Sequence, residues 1–296
     1  LLSFISPVAF SIAEESPYHY VPSRAVAIVM ISLFGVSTIV YAGQAARYRR
    51  LWLIPTAGLC GLIEILGWSG RLWSTFSPLL STPFQIEITC TIVAPTPLLA
   101  ANFVILGEII KRLGSTYSRL SPKWYTIVFC TCDVVSLVVQ GAGGGIAATA
   151  PDLKGANLGA HIMLGGIGFQ LAVIVLYSIL ALEYFVRYNF DAPIASRVKS
   201  VKIVDDQSDH QLRGLFTFKL KLMSCALIFS TTLLFIRAIY RTIELADGWN
   251  GRIISNELYF NVLDATMVVL AMYTMNFANP GILLALPAGQ TEKHVA

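Results

Sequence analysis

Three charged residues stand at the far end of an otherwise apolar stretch, Phe218 to Glu244: Arg237, Arg241 and Glu244. Their spacing of i, i+4 and i+7 puts them on one narrow stripe of an α-helix. The middle of the stretch, SCALIFSTTLLFI, carries no charge and calls for a hydrocarbon solvent. A charge facing lipid costs roughly 2.5–3.5 kcal/mol or more near the bilayer centre, so the stripe must face protein or a wet cavity. Guanidinium and carboxylate groups there can pair with one another, hold a proton, or bind an ammonium or phosphate. Two readings stand: an ion-pair seam that fixes helix packing, and a polar lining for a path or pocket.

Other apolar stretches carry charges as well: Glu64, Arg71, Glu87, Asp133 and Asp264. Counting about 1.5 Å per residue from the helix ends gives their depths. Glu64, Arg237 and Asp264 share a layer in the outer half of the bilayer, and Asp133 lies near the midplane. Arg71, Glu87, Arg241 and Glu244 form a second layer above. Arg237 is expected to be held by Glu64 or Asp264. Five acids then stand against three arginines, and the acidic surplus must be hydrated, protonated or matched by something that binds.

Positioning these residues requires membrane helices. The 296-residue chain is 55% hydrophobic and 13% charged, about half the charge of a soluble domain. Its mean hydropathy is +0.67. The sequence predicts an all-α polytopic membrane protein with seven transmembrane helices. They run over about Ser23–Gln44, Leu51–Trp73, Phe84–Ile110, Lys123–Ala147, Leu158–Tyr184, Phe218–Glu244 and Leu258–Asn279. Pro95 and Pro97 should kink or locally unwind the third. Small-residue patterns at Ala57 and Gly61, Gly141 and Gly145, and Gly165, Gly166 and Gly168 should let helices approach closely.

Lys and Arg set the orientation. Arg47, Arg49 and Arg50 follow the first span, Lys111, Arg112, Arg119 and Lys123 the third, and a group from Arg187 to Lys221 the fifth. The alternate loops hold almost none, so the N-terminus is expected outside and the C-terminus in the cytoplasm. The chain divides into an outer segment over 1–17, a seven-helix unit over 18–281 and a cytoplasmic tail over 282–296. A flexible loop is expected at about 189–214, with Ser200 and Ser208 as candidate regulatory positions. Glu108 with Arg112, and Glu183 with Arg187, read as surface anchors at helix ends.

Several chemistries are excluded. The basic residues lie in short loops beside apolar spans, so no nucleic-acid partner is expected. The five cysteines fall inside apolar segments and read as packing residues. No GxxxxGK, GxSxG or HExxH occurs, and the four histidines are scattered. The expectation is therefore no catalytic residue, no metal, no cofactor and no enzyme. The partners expected are the bilayer and a membrane lipid or lipid-like small molecule.

Six collinear motifs carry a resemblance. YHYVPSRAVAIV, RYRRLW, GLIEILGWSGR, DVVSLVVQGAGGG, IRAIYRTIELADG and ELYFNVLDATMV are similar to motifs of the fungal RTA1-like family, and the match runs from Tyr18 to Gly281. The resemblance implies a seven-helix exporter of amphiphilic lipids such as sphingoid long-chain bases, in the plasma membrane, conferring resistance to toxic amphiphiles. The family's usual NxxHPG reads NFANPG here, with Asn279 in place of His. The candidate substrate-binding residues are Glu64, Asp133, Arg237, Arg241 and Asp264, lining one outward-facing cavity. Arg71, Glu87 and Glu244 form an outer polar layer. The acidic surplus favours cationic single-chain amphiphiles, with Asp133 and Glu64 as ammonium partners. A seven-helix lipid sensor or receptor without transport activity is the alternative.

Overall fold

Among the described residues, seven helices are long and apolar enough to cross a membrane, and they account for most of the chain. They are α1 (Arg24–Tyr48), α2 (Leu51–Ser74), α3 (Ser81–Leu113), α4 (Pro122–Thr149), α5 (Lys154–Asn189), α6 (Phe218–Asp247) and α7 (Glu257–Leu283). The structure is a computed structural model that describes residues 16–194, 214–248 and 251–285. Most of the expected loop at 189–214, Ser200 and Ser208 included, lies outside the described residues, as do most of the 1–17 segment and the tail beyond Ala285.

Helix starts follow capping chemistry. Asp152 accepts from the Gly155 amide at 3.0 Å, Thr217 from Leu220 at 3.4 Å and Asn256 from Leu258 at 3.0 Å, each satisfying an orphan donor of the first turn. The span expected over Leu158–Tyr184 is longer than foreseen. At 36 residues α5 reaches about 54 Å, because no breaker interrupts it before Asn189. Its end therefore passes beyond the hydrocarbon, where Glu183 binds Arg187 at 2.7 Å and Arg119 at 2.6 Å. Such exposed pairs are screened by solvent and contribute little to stability.

The helices close into a ring, α1 to α7 in chain order, with α7 returning to α1. Helix α3 runs through the middle against α2, α4 and α6, and 67% of its apolar window is buried. Outer faces stay apolar: Ile39, Val138, Leu182 and Phe277 are all well exposed, as a lipid-facing surface requires.

Glycines set the closest approaches, only partly at the expected positions. A Cβ on Gly61 would collide with the Thr38 side chain of α1. On α4, Gly141 and Gly145 face open space, as do Gly165 and Gly168 on α5. Gly143 makes the contact instead: a Cβ there would lie 2.6 Å from the Met163 amide and 2.7 Å from the Gly159 carbonyl. Gly166 packs in the same way against Gln140. Which member of a glycine run meets the neighbour depends on helix rotation, and small-residue spacing does not encode that.

At Pro95 and Pro97 the third span is interrupted, as expected, into Ser81–Val93 and Pro95–Leu113, but the joint is not unwound. Ala94 keeps helical dihedrals (φ −54, ψ −41), and its amide still bonds the Cys90 carbonyl at 2.9 Å. The prolines act by removing donors. Without an N–H on Pro95, the Thr91 carbonyl one turn back loses its intrahelical partner, inside the bundle.

At the lysine- and arginine-rich end, Asn279 caps the last short turn by accepting from the Gly281 amide at 2.7 Å. Arg50 and Arg112 both donate to the Leu284 carbonyl, at 2.9 and 2.5 Å, and so close the C-terminus of α7.

Candidate functional site

The charges gather in the half of the bundle away from the basic end. Arg241 is its hub. It grips Asp264 with both arms of its fork, Nε to Oδ1 and Nη2 to Oδ2, each at 2.8 Å. Its Nη1 donates to Glu244 at 2.7 Å, and Nη2 also reaches the Thr91 hydroxyl at 2.7 Å. The two layers expected from depth are thus joined by one side chain. Arg237, one turn away on α6, uses the carbonyl that Pro95 frees: its Nη2 donates to Thr91 O. Its Nε lies 2.9 Å from Asp264 Oδ1, outside hydrogen-bond alignment. Asp264 rather than Glu64 therefore holds Arg237. Asp264 itself sits in a π-helical turn, Asn261–Ala265, a local irregularity that re-aims side chains and recurs at functional sites.

Above this cluster, Arg71 pairs with Glu87 at 2.6 Å and Glu257 at 3.2 Å. Two tyrosines that precede α1 complete the shell. Tyr20 accepts from Arg71 at 2.8 Å, while the Tyr18 hydroxyl donates to Glu87 and lies 3.0 Å from Ser74 Oγ. Burial pushes both phenols up, Tyr20 to about 12 and Tyr18 further, so both remain protonated at neutral pH. The Phe260 ring lies between two guanidinium groups, 4.7 Å from Arg71 and 5.0 Å from Arg241.

Two acids are left over. Glu64 is 1% exposed, close to Asp264, Arg237 and Arg241, with the Trp68 indole N–H beside it but not in hydrogen-bond alignment, and it joins no ion pair among the described residues. Asp133, also 1% exposed, has no hydrogen-bond partner among the described residues and stands apart from the cluster. It belongs to the buried stripe of α4 that includes Phe129, Ser136 and Gln140. Phe129 packs there against Phe103 of α3 and Tyr177 of α5, at 5.3 and 5.5 Å. The surplus counted from the sequence thus falls on these two residues, and a buried carboxylate without bonds is costly.

Two cavities flank Arg241. The inner one, about 370 Å³ of empty space, is lined by Ile92, Pro95, Gln140, Gln170, Arg237 and Arg241 among others. A polar chain borders it: Gln140 donates to Gln170 at 3.1 Å, and Gln170 to Thr96 at 2.9 Å. The outer cavity, about 290 Å³, lies under Tyr18 and Tyr20 and includes Arg71, Glu87, Arg241 and Glu244 in its wall. The five expected site residues therefore do not line one cavity. Arg237 and Arg241 face the inner one, while Glu64, Asp264 and Asp133 line neither.

Sequence reasoning missed Thr91, Glu257, Gln170 and the two tyrosines as members of the site. Signals existed for two of them. Pro95 marks Thr91, four residues back, as the owner of a free carbonyl, and Glu257 stands at i−7 from Asp264, on the same helical face.

Comparison with known proteins agrees with this architecture. The chain is 30% identical to the sphingoid long-chain base transporter RSB1 of Saccharomyces cerevisiae over 278 residues, covering 88% of this chain and 72% of the relative. It is 25% identical to protoporphyrin uptake protein 1 of the same yeast, covering 86% and 89%. It is also 25% identical to the yeast protein RTM1, covering 88% and 90%. No solved structure matches. The family model described as RTA1 like protein matches residues 57–286, from α2 through α7 with Glu64, Arg71, Glu87, Asp133, Arg237, Arg241, Glu244 and Asp264, and the chain belongs to the RTA1-like family.

Proposed function

We propose that this integral membrane protein moves amphiphilic lipids with a cationic head, of the sphingoid long-chain base type, across the plasma membrane. Its N-terminus is outside and its C-terminus cytoplasmic, and outward movement of such lipids confers resistance to toxic amphiphiles. The observation that carries the reading is the two buried carboxylates that join no ion pair among the described residues, Glu64 and Asp133, beside or below an otherwise paired charge cluster. A site with surplus negative charge in a low-dielectric surrounding favours an ammonium ligand over a phosphate. Glu64 takes the ammonium next to Arg237, Arg241 and Asp264, and Asp133 takes it deeper in the bundle. The similarity to a transporter of sphingoid long-chain bases supports the same substrate class.

The test is flux in liposomes containing the purified protein, with a fluorescent sphingoid base and a fluorescent phospholipid side by side. Asp133→Asn and Glu64→Gln are expected to lower flux of the base and leave phospholipid behaviour unchanged. If Arg241→Gln removes phospholipid binding while Asp133→Asn leaves the base untouched, the cationic-substrate reading fails. Binding without movement between leaflets would make the protein a lipid sensor instead.

A further inference from the structure

Asp133 has no charge of either sign near it among the described residues. Helix α4 packs against α3 and α5. Phe129, one turn before Asp133, meets Tyr177 of α5, and Ser136, one turn after, meets Gly166. Over the stretches that bracket Asp133 both neighbours are uncharged. Helix α3 has no ionisable side chain between Cys90 and Glu108, and α5 has none between His161 and Tyr177. On α4 itself the neighbours are Cys130 and Cys132, and Lys123 lies about 15 Å down the helix. Tyr177 spends its hydroxyl on the Asn102 carbonyl at 3.2 Å. Nothing donates to either oxygen of Asp133 among the described residues.

The surroundings also limit what could sit there. Neither cavity beside Arg241 reaches Asp133. Nor do two larger, mostly apolar cavities, one among α3, α4 and α5 and one between α5 and α6. On the basic side three rings close the way, Phe129, Phe103 and Tyr177, with centroids 4.7 to 5.5 Å apart. On the other side the buried face of α4 continues in Ser136 and Gln140, one and two turns on. Ser136 Oγ donates to the Gly166 carbonyl at 2.6 Å and accepts from Gln140 at 2.8 Å. Gln140 borders the inner cavity, whose walls leave clear room for about one water. The polar route from Asp133 therefore leads toward the charge cluster and away from the basic end.

We infer that Asp133 is a proton-binding site, occupied in this conformation, and that its proton is exchanged for the cationic head of the transported molecule. A proton needs no volume, and it cancels a charge that would otherwise stand bare in a low-dielectric site. Glu64 differs, because Arg237 and Arg241 lie close enough to balance an ionised carboxylate. In this conformation a proton enters past Gln140 and Ser136 and forms the O–H bond as a bound cation leaves. With the rings on the basic side parted the exchange reverses. A cation then takes the carboxylate, the O–H bond breaks and the proton departs on that side. One positive charge replaces another at each step, so the carboxylate is never left bare. The exchange deepens the transport reading above, on which it rests, by supplying a driving force.

The full chain in phosphatidylcholine vesicles is tested first by infrared spectroscopy at neutral pH. The carbonyl stretch of a protonated carboxyl should be present, shift in D2O, and vanish in Asp133→Asn but not in Glu64→Gln. Asp133→Glu, the second variant should Asp133→Asn fold poorly, should move the band without removing it. Ser136→Ala should slow the shift in D2O, and an unslowed shift overturns the route. Flux is then read with a fluorescent single-chain amphiphile bearing a trimethylammonium head, whose charge cannot leave as a proton. With the membrane potential clamped, a proton gradient of about tenfold should concentrate the probe about tenfold on the acidic side. Asp133→Asn should lose that response. A carboxyl spectrum unchanged in both Asp133→Asn and Asp133→Glu overturns the proton site, and flux of the probe in the same vesicles leaves the transport reading standing. A band that Asp133→Asn removes, with flux indifferent to the gradient, keeps the proton site and overturns the exchange. The band without flux of the probe or of the fluorescent sphingoid base keeps the proton site and removes the transport reading.

Discussion

Replacing Arg241 by Ala is the severest single perturbation of the bundle that the geometry offers. The side chain is 2% exposed and makes a two-pronged bond to Asp264, a bond to Glu244 and one to Thr91. Its loss leaves Glu244 buried with only Tyr240 as donor, at 2.7 Å, and Asp264 with only the misaligned Arg237 Nε at 2.9 Å. Breaking a buried pair by removing one partner costs about 3–5 kcal/mol. At about 2–4 °C per kcal/mol this lowers the midpoint of thermal unfolding in detergent by roughly 6–20 °C. Arg241→Lys keeps the charge and loses the fork, so about 1–3 kcal/mol of that loss should remain. Arg237→Ala should cost less than Arg241→Ala, about 1–3 kcal/mol for an unsatisfied Thr91 carbonyl, since Asp264 keeps its stronger partner. The assay is thermal unfolding followed by fluorescence size-exclusion, at one fixed heating rate because unfolding in detergent is commonly irreversible. A double-mutant cycle with Asp264→Asn isolates the pair, with a coupling of about 0.5–3 kcal/mol expected. A midpoint within 1 °C of wild type for Arg241→Ala, or no coupling in the cycle, would show that the cluster is hydrated and would refute this account.

Further expectations concern donors, packing and orientation. Pro95→Ala returns an N–H to the Thr91 carbonyl, so the cost of Arg237→Ala should shrink in that background, measured as non-additivity of the two midpoints. Glu64→Gln removes a buried carboxylate that joins no ion pair among the described residues and should leave the midpoint unchanged or raise it by a few degrees; a fall like that of Arg241→Ala would mean that Glu64 is held as an ion in the folded protein. Gly143→Leu should abolish folded yield, because even a Cβ would lie 2.6 Å from the Met163 amide, whereas Gly141→Leu, facing open space, should express normally. An epitope at the C-terminus should be labelled only after permeabilisation and one before Tyr18 on intact cells, and the reverse pattern would invert the proposed orientation.

The seven spans were legible because lipid imposes a length and an apolar composition on any helix that crosses it. Depth was legible for a related reason: a helix rises a fixed distance per residue. That is how Arg237, Arg241, Glu64 and Asp264 could be placed near one another from three stretches of sequence far apart in the chain. Rotation about the helix axis was legible only in part: a polar stripe turns inward, and Gly143 lies on the stripe of Asp133, Ser136 and Gln140, but which residue of another helix the stripe meets is not written in it. So the choice of Asp264 over Glu64 as the partner of Arg237 and the isolation of Asp133 were decided only by packing. Thr91 shows both sides. Its missing donor is written in the sequence as Pro95, but that an arginine from α6 fills the vacancy is a fact of tertiary structure. The sequence alone determines how many charges must be reconciled inside the membrane. Only the folded bundle decides that Glu64 and Asp133 are the two left over, because pairing depends on angles of a few degrees and distances of under an ångström, which one-dimensional spacing does not carry.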